Sequence, residues 1–243
     1  MTWKTHVIGG ASAGIAAAYV AKGTFAESSL ITASAVLGSM LPDIDKPGSR
    51  IARSDSLIGL VSYMTSLFTK HRGFFHTVFG ALMFAGIFYA LAMFRTDKES
   101  LLSFFLAFSV FVIVHAFGGV FSRLAGWLAA GAYVFGPTAA EILAGSGIEP
   151  RLNSRTAFLC SLGIFLGCVM HMVYDSFNPG GIMWAYPLSK KKFSFLSVKT
   201  NSMSEYGFFS VQVVILALII AVCYQETAVF ETLKKLLSEL SSF

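Results

Sequence analysis

The stretch AFLCSLGIFLGCVMHMVYD, residues 157–175, decides the fold. No charged side chain interrupts it before Asp175, and its apolar part approaches the roughly 20 residues that a helix needs to cross a bilayer. It closes on HMVYD, where His171 and Asp175 stand four positions apart. On a helix that spacing projects both side chains from one face about a turn apart, so a single helix offers a nitrogen and an oxygen to one cation. Taken alone, the pair reads equally as a satisfied helical His/Asp contact.

The rest of the chain shares this character. Of 243 residues, 55% are hydrophobic and 13% charged, with a mean hydropathy of +0.69; a soluble domain carries about 25% charged residues. Six further apolar runs, 8–21, 26–41, 78–94, 101–121, 125–145 and 207–223, give about seven segments. The expected fold is therefore an all-α integral membrane protein, a polytopic helical bundle. Residues 1–225 form one membrane domain and 226–243 a C-terminal amphipathic helix. The first two runs are short and rich in small residues, as in a tightly packed helical hairpin. Ser56 to Lys70 reads as an amphipathic stretch along the interface.

The formal charge of +5 does not point to nucleic acid, because Lys and Arg sit in short clusters between apolar runs. Cys160, Cys168 and Cys223 lie in apolar runs without metal-type spacing and read as small buried hydrophobes. The N-terminal MTWKTHVIGGASAGIAAAYVAKG is Gly/Ala-rich without a leucine core, and is read as the first helix rather than a cleaved leader.

Counting crossings places His6, the LPDID end of the second run, HRGFFH (71–76) and the HMVYD end of the sixth run on one side. Eleven of the 18 Lys and Arg residues share that side, among them Lys4, Arg50, Arg72 and Lys190 to Lys192, which orients it toward the cytoplasm. In LPDID, Pro42 disfavours helix at Leu41. If the segment runs extended, Asp43 and Asp45 point the same way, and two carboxylates at one place call for a cation or proton between them. The plainer reading has Asp43 capping a helix and Asp45 solvated. In HRGFFH, His71 and His76 diverge on a helix, whereas a bend at Gly73 turns both inward; otherwise the motif is an interfacial belt anchored by Phe74 and Phe75. Arg72, planar and permanently charged, suits an anionic oxygen.

Each motif has an unremarkable explanation alone; together they place four of five histidines and three acids at one membrane face. The expected metal ligands are His6, Asp43, His71, His76, His171 and Asp175, with Asp45 as ligand or general base. This mixed N/O set suits zinc, with manganese or iron as alternatives. His115, deep in the fourth run, reads as a neutral imidazole bonded to a neighbouring helix, and Glu141 as a side chain reaching the interface. NPGG (178–181) is a turn expected to fold the following WAYP segment back over the site, with Asn178 bonding local backbone. The Lys190–Lys192 cluster reads as holding its loop at an anionic leaflet.

The early histidine, LPDID, HRGFFH and HMVYDSFNPGG followed by an aromatic-proline segment resemble the YdjM/YbcI-type family of inner-membrane, metal-dependent hydrolases. The resemblance covers the N-terminal three-quarters in motif order. It departs at Phe75, where that family commonly has threonine, and it points to Glu205 as a further acidic position. The order His, Asp, His, HxxxD is also similar to that of zinc-dependent phospholipase C and related nucleases. The resemblance implies hydrolase chemistry. Joined to the residues, it gives an expected metal-dependent hydrolase of a phosphoester or lipid-linked substrate near the cytoplasmic face of the inner membrane, with Arg72 neutralising oxyanion charge. A metal-ion transporter or a non-catalytic metal-binding scaffold uses the same residue types.

Overall fold

The computed structural model describes residues 1–54, 56–93 and 154–224. Two of the expected apolar runs, 101–121 and 125–145, with His115 and Glu141 inside them, lie outside the described residues, as does the expected helix at 226–243. Among the described residues the chain is helical: α1 Trp3–Ala21, α2 Phe25–Gly38, α3 Ser56–Phe68, α4 Val78–Met93, α5 Ser154–Asp175 and α6 Met203–Tyr224. Two 3₁₀ turns, Leu41–Asp45 and Phe74–His76, carry the motifs between them.

The α1–α2 hairpin follows from its local chemistry. Lys22 closes α1 in the left-handed region, with φ of 51°. Thr24 and Glu27 then form a reciprocal capping box that starts α2. The two helices pack closely because small residues let their backbones meet: a Cβ on Gly14 would lie 2.6 Å from Thr32 Cα. α5 packs onto α2 in the same way, since a Cβ on Gly167 would fall 2.6 Å from Ser39 N and still closer to the Ala35 carbonyl. At the far end Arg155 donates to Glu27 (2.9 Å) and Thr156 to the same carboxylate (3.0 Å), tying the starts of α5 and α2. The core of this three-helix unit includes Val7, Val36, Met40, Ile164 and Met172.

Among the described residues two helices, Ser154–Asp175 and Met203–Cys223, are long and apolar enough to cross a membrane. α6 shows why lipid is the matching solvent: Val211, Val214, Ile215, Leu218 and Val222 are all exposed along it. At 1.5 Å per residue its length is about 33 Å, close to the hydrocarbon thickness. The expected amphipathic stretch is α3, and its polarity is inverted. Ser62 is buried and Thr65 donates to the Ile44 carbonyl, whereas Leu60, Tyr63, Met64, Leu67 and Phe68 face outward. An apolar outer face on a helix packed through its polar side again fits a lipid surrounding.

Two local expectations are corrected. LPDID is not extended: with Pro42 in its first turn the segment winds as a 3₁₀ helix closed by Lys46 N–H to the Asp43 carbonyl (3.1 Å). Among the described residues no neighbouring strand offers a ladder that would hold it straight. Asn178 sends its side-chain amide to Thr200 Oγ1 (3.2 Å) rather than to local backbone, and its carbonyl receives Gly181 N–H (2.9 Å). The fold-back after NPGG is present. Gly181 takes φ of 57°, Ile182 pairs with Phe193 in an isolated antiparallel bridge, and the Trp184 carbonyl accepts Val78 N–H at the start of α4.

Candidate functional site

One end of the bundle gathers the chemistry-bearing side chains. α1 begins at Trp3, earlier than its apolar run, so His6 sits in a helical turn and is buried. The Leu41–Asp45 turn at the end of α2 brings Asp43 and Asp45. The bend expected in HRGFFH occurs at Arg72 and Gly73: Arg72 has φ of 64°, Gly73 N–H bonds the Lys70 carbonyl (2.7 Å), and His71 and His76 come to 5.1 Å between ring centroids. α5 ends at the cluster with His171 and Asp175.

The cluster divides into two triads, His6–His171–Asp175 and Asp43–His71–His76, each with ligand-capable atoms within 4.8 Å of one another. His6 stacks on His171 at 3.8 Å between centroids, with His6 Nε2 3.5 Å from Asp175 Oδ1. The triads meet where His171 Nε2 lies 3.2 Å from His76 Nε2. Asp43 Oδ1 sits beside both, 3.7 Å from His76 Nε2 and 3.9 Å from His171 Nε2.

The hydrogen bonds behind the rings fix which nitrogen is available. His171 Nδ1–H donates to the Ser39 carbonyl (2.8 Å), which can only accept, so its Nε2 carries a lone pair into the cluster. Asp45, buried, spans two imidazoles: Oδ1 is 2.9 Å from His71 Nδ1 and Oδ2 is 3.4 Å from His76 Nδ1. A carboxylate at Nδ1 directs the proton there and leaves Nε2 for the cluster. Two Nε2 lone pairs facing each other at 3.2 Å need a proton or a cation between them. Ligand atoms around a tetrahedral zinc lie about 3.3 Å apart, given metal–nitrogen bonds of about 2.0 Å. The donor set and its hydrogen-bonded backing therefore fit a divalent cation, and the buried His6 Nδ1, without a hydrogen-bond partner, lies in the same region.

Charge is balanced locally. Asp175 has the Met1 amino group at 2.9 Å from Oδ1 and Arg72 Nε at 3.2 Å from Oδ2. Burial works against ionising Asp43, but the His76 hydrogen bond and the surrounding imidazoles outweigh it and hold the carboxyl well below its ordinary range. Burial likewise opposes charge on His76, and Asp43 and Asp45 overcome it, raising the imidazole to about 9. Without a cation, the proton between the rings thus comes from His76.

All the residues expected as ligands are in this cluster, and Asp45 and Arg72 adjoin it. Glu205 is buried nearby with a different set of contacts. It accepts from Thr2 N–H and Thr5 Oγ1 (3.2 Å), and from Asn201 N–H (2.7 Å), joining the start of α1 to the start of α6. Three features escaped the sequence reading. The Ser39 carbonyl is a backbone group with no residue signature. Trp3 was passed over and Arg50 counted only toward orientation, yet both line a small cavity that reaches His6 and Asp43, with Arg50 Cζ 5.3 Å over the Trp3 ring.

A helical chain with membrane-length apolar helices and a partly buried His/Asp cluster at one end of its bundle is a membrane protein with a candidate metal centre. It belongs to the YdjM inner membrane protein family, whose description matches residues 1–232. Comparison with curated proteins and with solved structures returned no match.

Proposed function

We propose that the protein is a multi-pass inner-membrane hydrolase that uses a pair of divalent cations, zinc above all, to cleave a phosphoester in a lipid or lipid-linked substrate at the cytoplasmic face. The observation that carries the reading is the meeting of the two His/Asp triads at the 3.2 Å approach of His171 Nε2 and His76 Nε2. Divalent cations held by the two triads would supply Lewis acidity, lowering the pKa of water and polarising the scissile group.

The side chains divide the remaining work. His6, His171 and Asp175 hold one position and Asp43, His71 and His76 the other, with Asp43 between them. Asp45 orients His71 and His76 from behind. Arg72 offsets the charge of Asp175 and shares in neutralising the oxyanion. Of these ligands, His6 and Asp43 line the small cavity beside the cluster.

Position supports hydrolysis over transport. A transport site belongs near the membrane midplane on broken helices, whereas these groups lie at helix ends. The exposed Leu188, Lys190, Lys191, Lys192, Phe195 and Leu196 follow α5 directly and suit an anionic lipid surface beside the cluster. The test is hydrolysis of phosphomonoester and phosphodiester lipids by protein in mixed micelles, with and without zinc, manganese or iron. Metal-dependent release of product that disappears in His76→Ala supports the reading; equal turnover in that variant, or none with any lipid phosphoester by metal-loaded protein, counts against it.

A further inference from the structure

The geometry points to unlike roles for the two triads: Asp43–His71–His76 is the open position, where a bound cation would meet water and substrate, and His6–His171–Asp175 is an enclosed position that keeps its ion. The inference rests on the metal-dependent reading above and assigns the half of the centre that faces the reaction. Burial separates the two sets of ligands. The His71 side chain is 34% exposed and that of Asp43 22%, with His76 buried behind them. In the other triad no side chain is more than 4% exposed. A cation that takes part in hydrolysis keeps a coordination position free for water, whereas one that ties helices together is closed off by protein.

The fold produces the difference. His6, His171 and Asp175 project from α1 and α5, which close against each other: a Cβ on Gly9, one turn after His6, would run into the Tyr174 ring. Tyr174 is buried in this seam, 6.3 Å between centroids from His6 and 5.7 Å from Phe208 of α6. Arg72 covers Asp175 from another side, with Nε 3.2 Å from Oδ2. The cavity that reaches His6 has room for about one water, too little for a chelator or a substrate. His71 stands instead on the turn between α3 and the Phe74–His76 3₁₀ helix, held from within by Asp45 at Nδ1 (2.9 Å). Phe68 and Lys70, just before it, are exposed and suit an acyl chain and an anionic headgroup approaching this side.

Release kinetics read the asymmetry without any assay of turnover. Protein loaded with zinc in detergent and freed of excess metal is mixed with a chromophoric chelator, and zinc transfer is followed in wild type, His71→Ala and His6→Ala. Emptying the enclosed position requires a local opening of the α1–α5 seam, which the open position does not need. Wild type is expected to release about two ions per chain in two phases, the second about ten- to a hundredfold slower. His71→Ala should lose the fast phase and keep the slow one, and His6→Ala the reverse. Diethyl pyrocarbonate labelling of wild type, mapped by mass spectrometry during release, gives the same assignment without a variant: His71 should become reactive in step with the fast phase, while His6 and His171 stay protected through it.

Two ions released in a single phase overturn the inference and leave the metal reading standing. So does a fast phase that survives in His71→Ala and is lost in His6→Ala, or labelling of His6 ahead of His71. A single ion per chain that both variants lose also overturns it, because the triads would then form one position. A wild type that takes up no zinc defeats the metal reading, and the inference with it.

Discussion

Replacing Asp45 with asparagine separates a residue that orients ligands from one that binds the cation. Asp45 presents Oδ1 to His71 Nδ1 at 2.9 Å and Oδ2 to His76 Nδ1 at 3.4 Å, so one acid directs two rings. Asparagine keeps the shape but offers one acceptor oxygen and one N–H₂ donor. One ring keeps its acceptor. The other meets a donor, which moves its proton to Nε2 and removes the lone pair aimed into the cluster. Losing such a carboxylate behind a ligating histidine lowers metal affinity about 10- to 100-fold, or about 1.4–2.8 kcal/mol. Competition against a chromophoric chelator in detergent, with wild type, Asp45→Asn and His76→Ala side by side, reads this directly. Asp45→Asn should fall between the other two and keep its metal stoichiometry. An affinity within about threefold of wild type would refute the orienting role, and a loss as complete as in His76→Ala would make Asp45 a ligand.

Three further outcomes are expected. Gly167→Ala pushes a methyl group into the Ala35 carbonyl and Ser39 N–H; overpacking of about 1–3 kcal/mol should lower the thermal midpoint and, by shifting Ser39 from His171, weaken metal binding as well. Glu205→Gln removes the charged acceptor shared by Thr2, Thr5 and Asn201. The variant should lose about 1–3 kcal/mol of stability by thermal denaturation, with metal stoichiometry unchanged, and a loss of metal would assign Glu205 to the centre. His76, raised to about 9 by Asp43 and Asp45 against the effect of burial, holds a proton at neutral pH that a cation must displace. Metal affinity should therefore climb with pH and level off above about 9. The same raised value stabilises the metal-free protein fully below about 6.5 and ceases to do so as pH rises through about 9. Its thermal midpoint should fall across that window in chelator, and a flat profile would contradict the assignment.

The parts of the fold that the sequence made legible are those governed by local pattern. α5 could be read because an uninterrupted apolar run ends in a His/Asp pair at helical spacing, and the hairpin of α1 and α2 because small residues, Gly, Ala and Ser, are frequent in both runs. The bend in HRGFFH was anticipated at Gly73, and the structure divides it between Gly73 and the positive φ of Arg72. Neither reading of LPDID holds: the extended one fails because a period of two has meaning only where a neighbouring strand exists and Pro42 favours a tight turn as readily, and the plainer one because Asp45 is buried rather than solvated. The start of α1 was placed late because Lys4 and Thr5 are polar, although Thr5 is buried against Glu205. The Ser39 carbonyl and the stacking of Arg50 on Trp3 depend on how distant segments meet, which no spacing along the chain encodes.

The central claim is that the two triads bind cations. Metal analysis of detergent-purified wild type and a His171→Ala/Asp175→Ala double variant, both verified as folded by circular dichroism, tests it most directly. The account predicts up to about two tightly held divalent ions per chain in wild type and loss of those at the His6–His171–Asp175 triad in the variant. A folded wild type that remains metal-free after incubation with zinc, manganese and iron would contradict it.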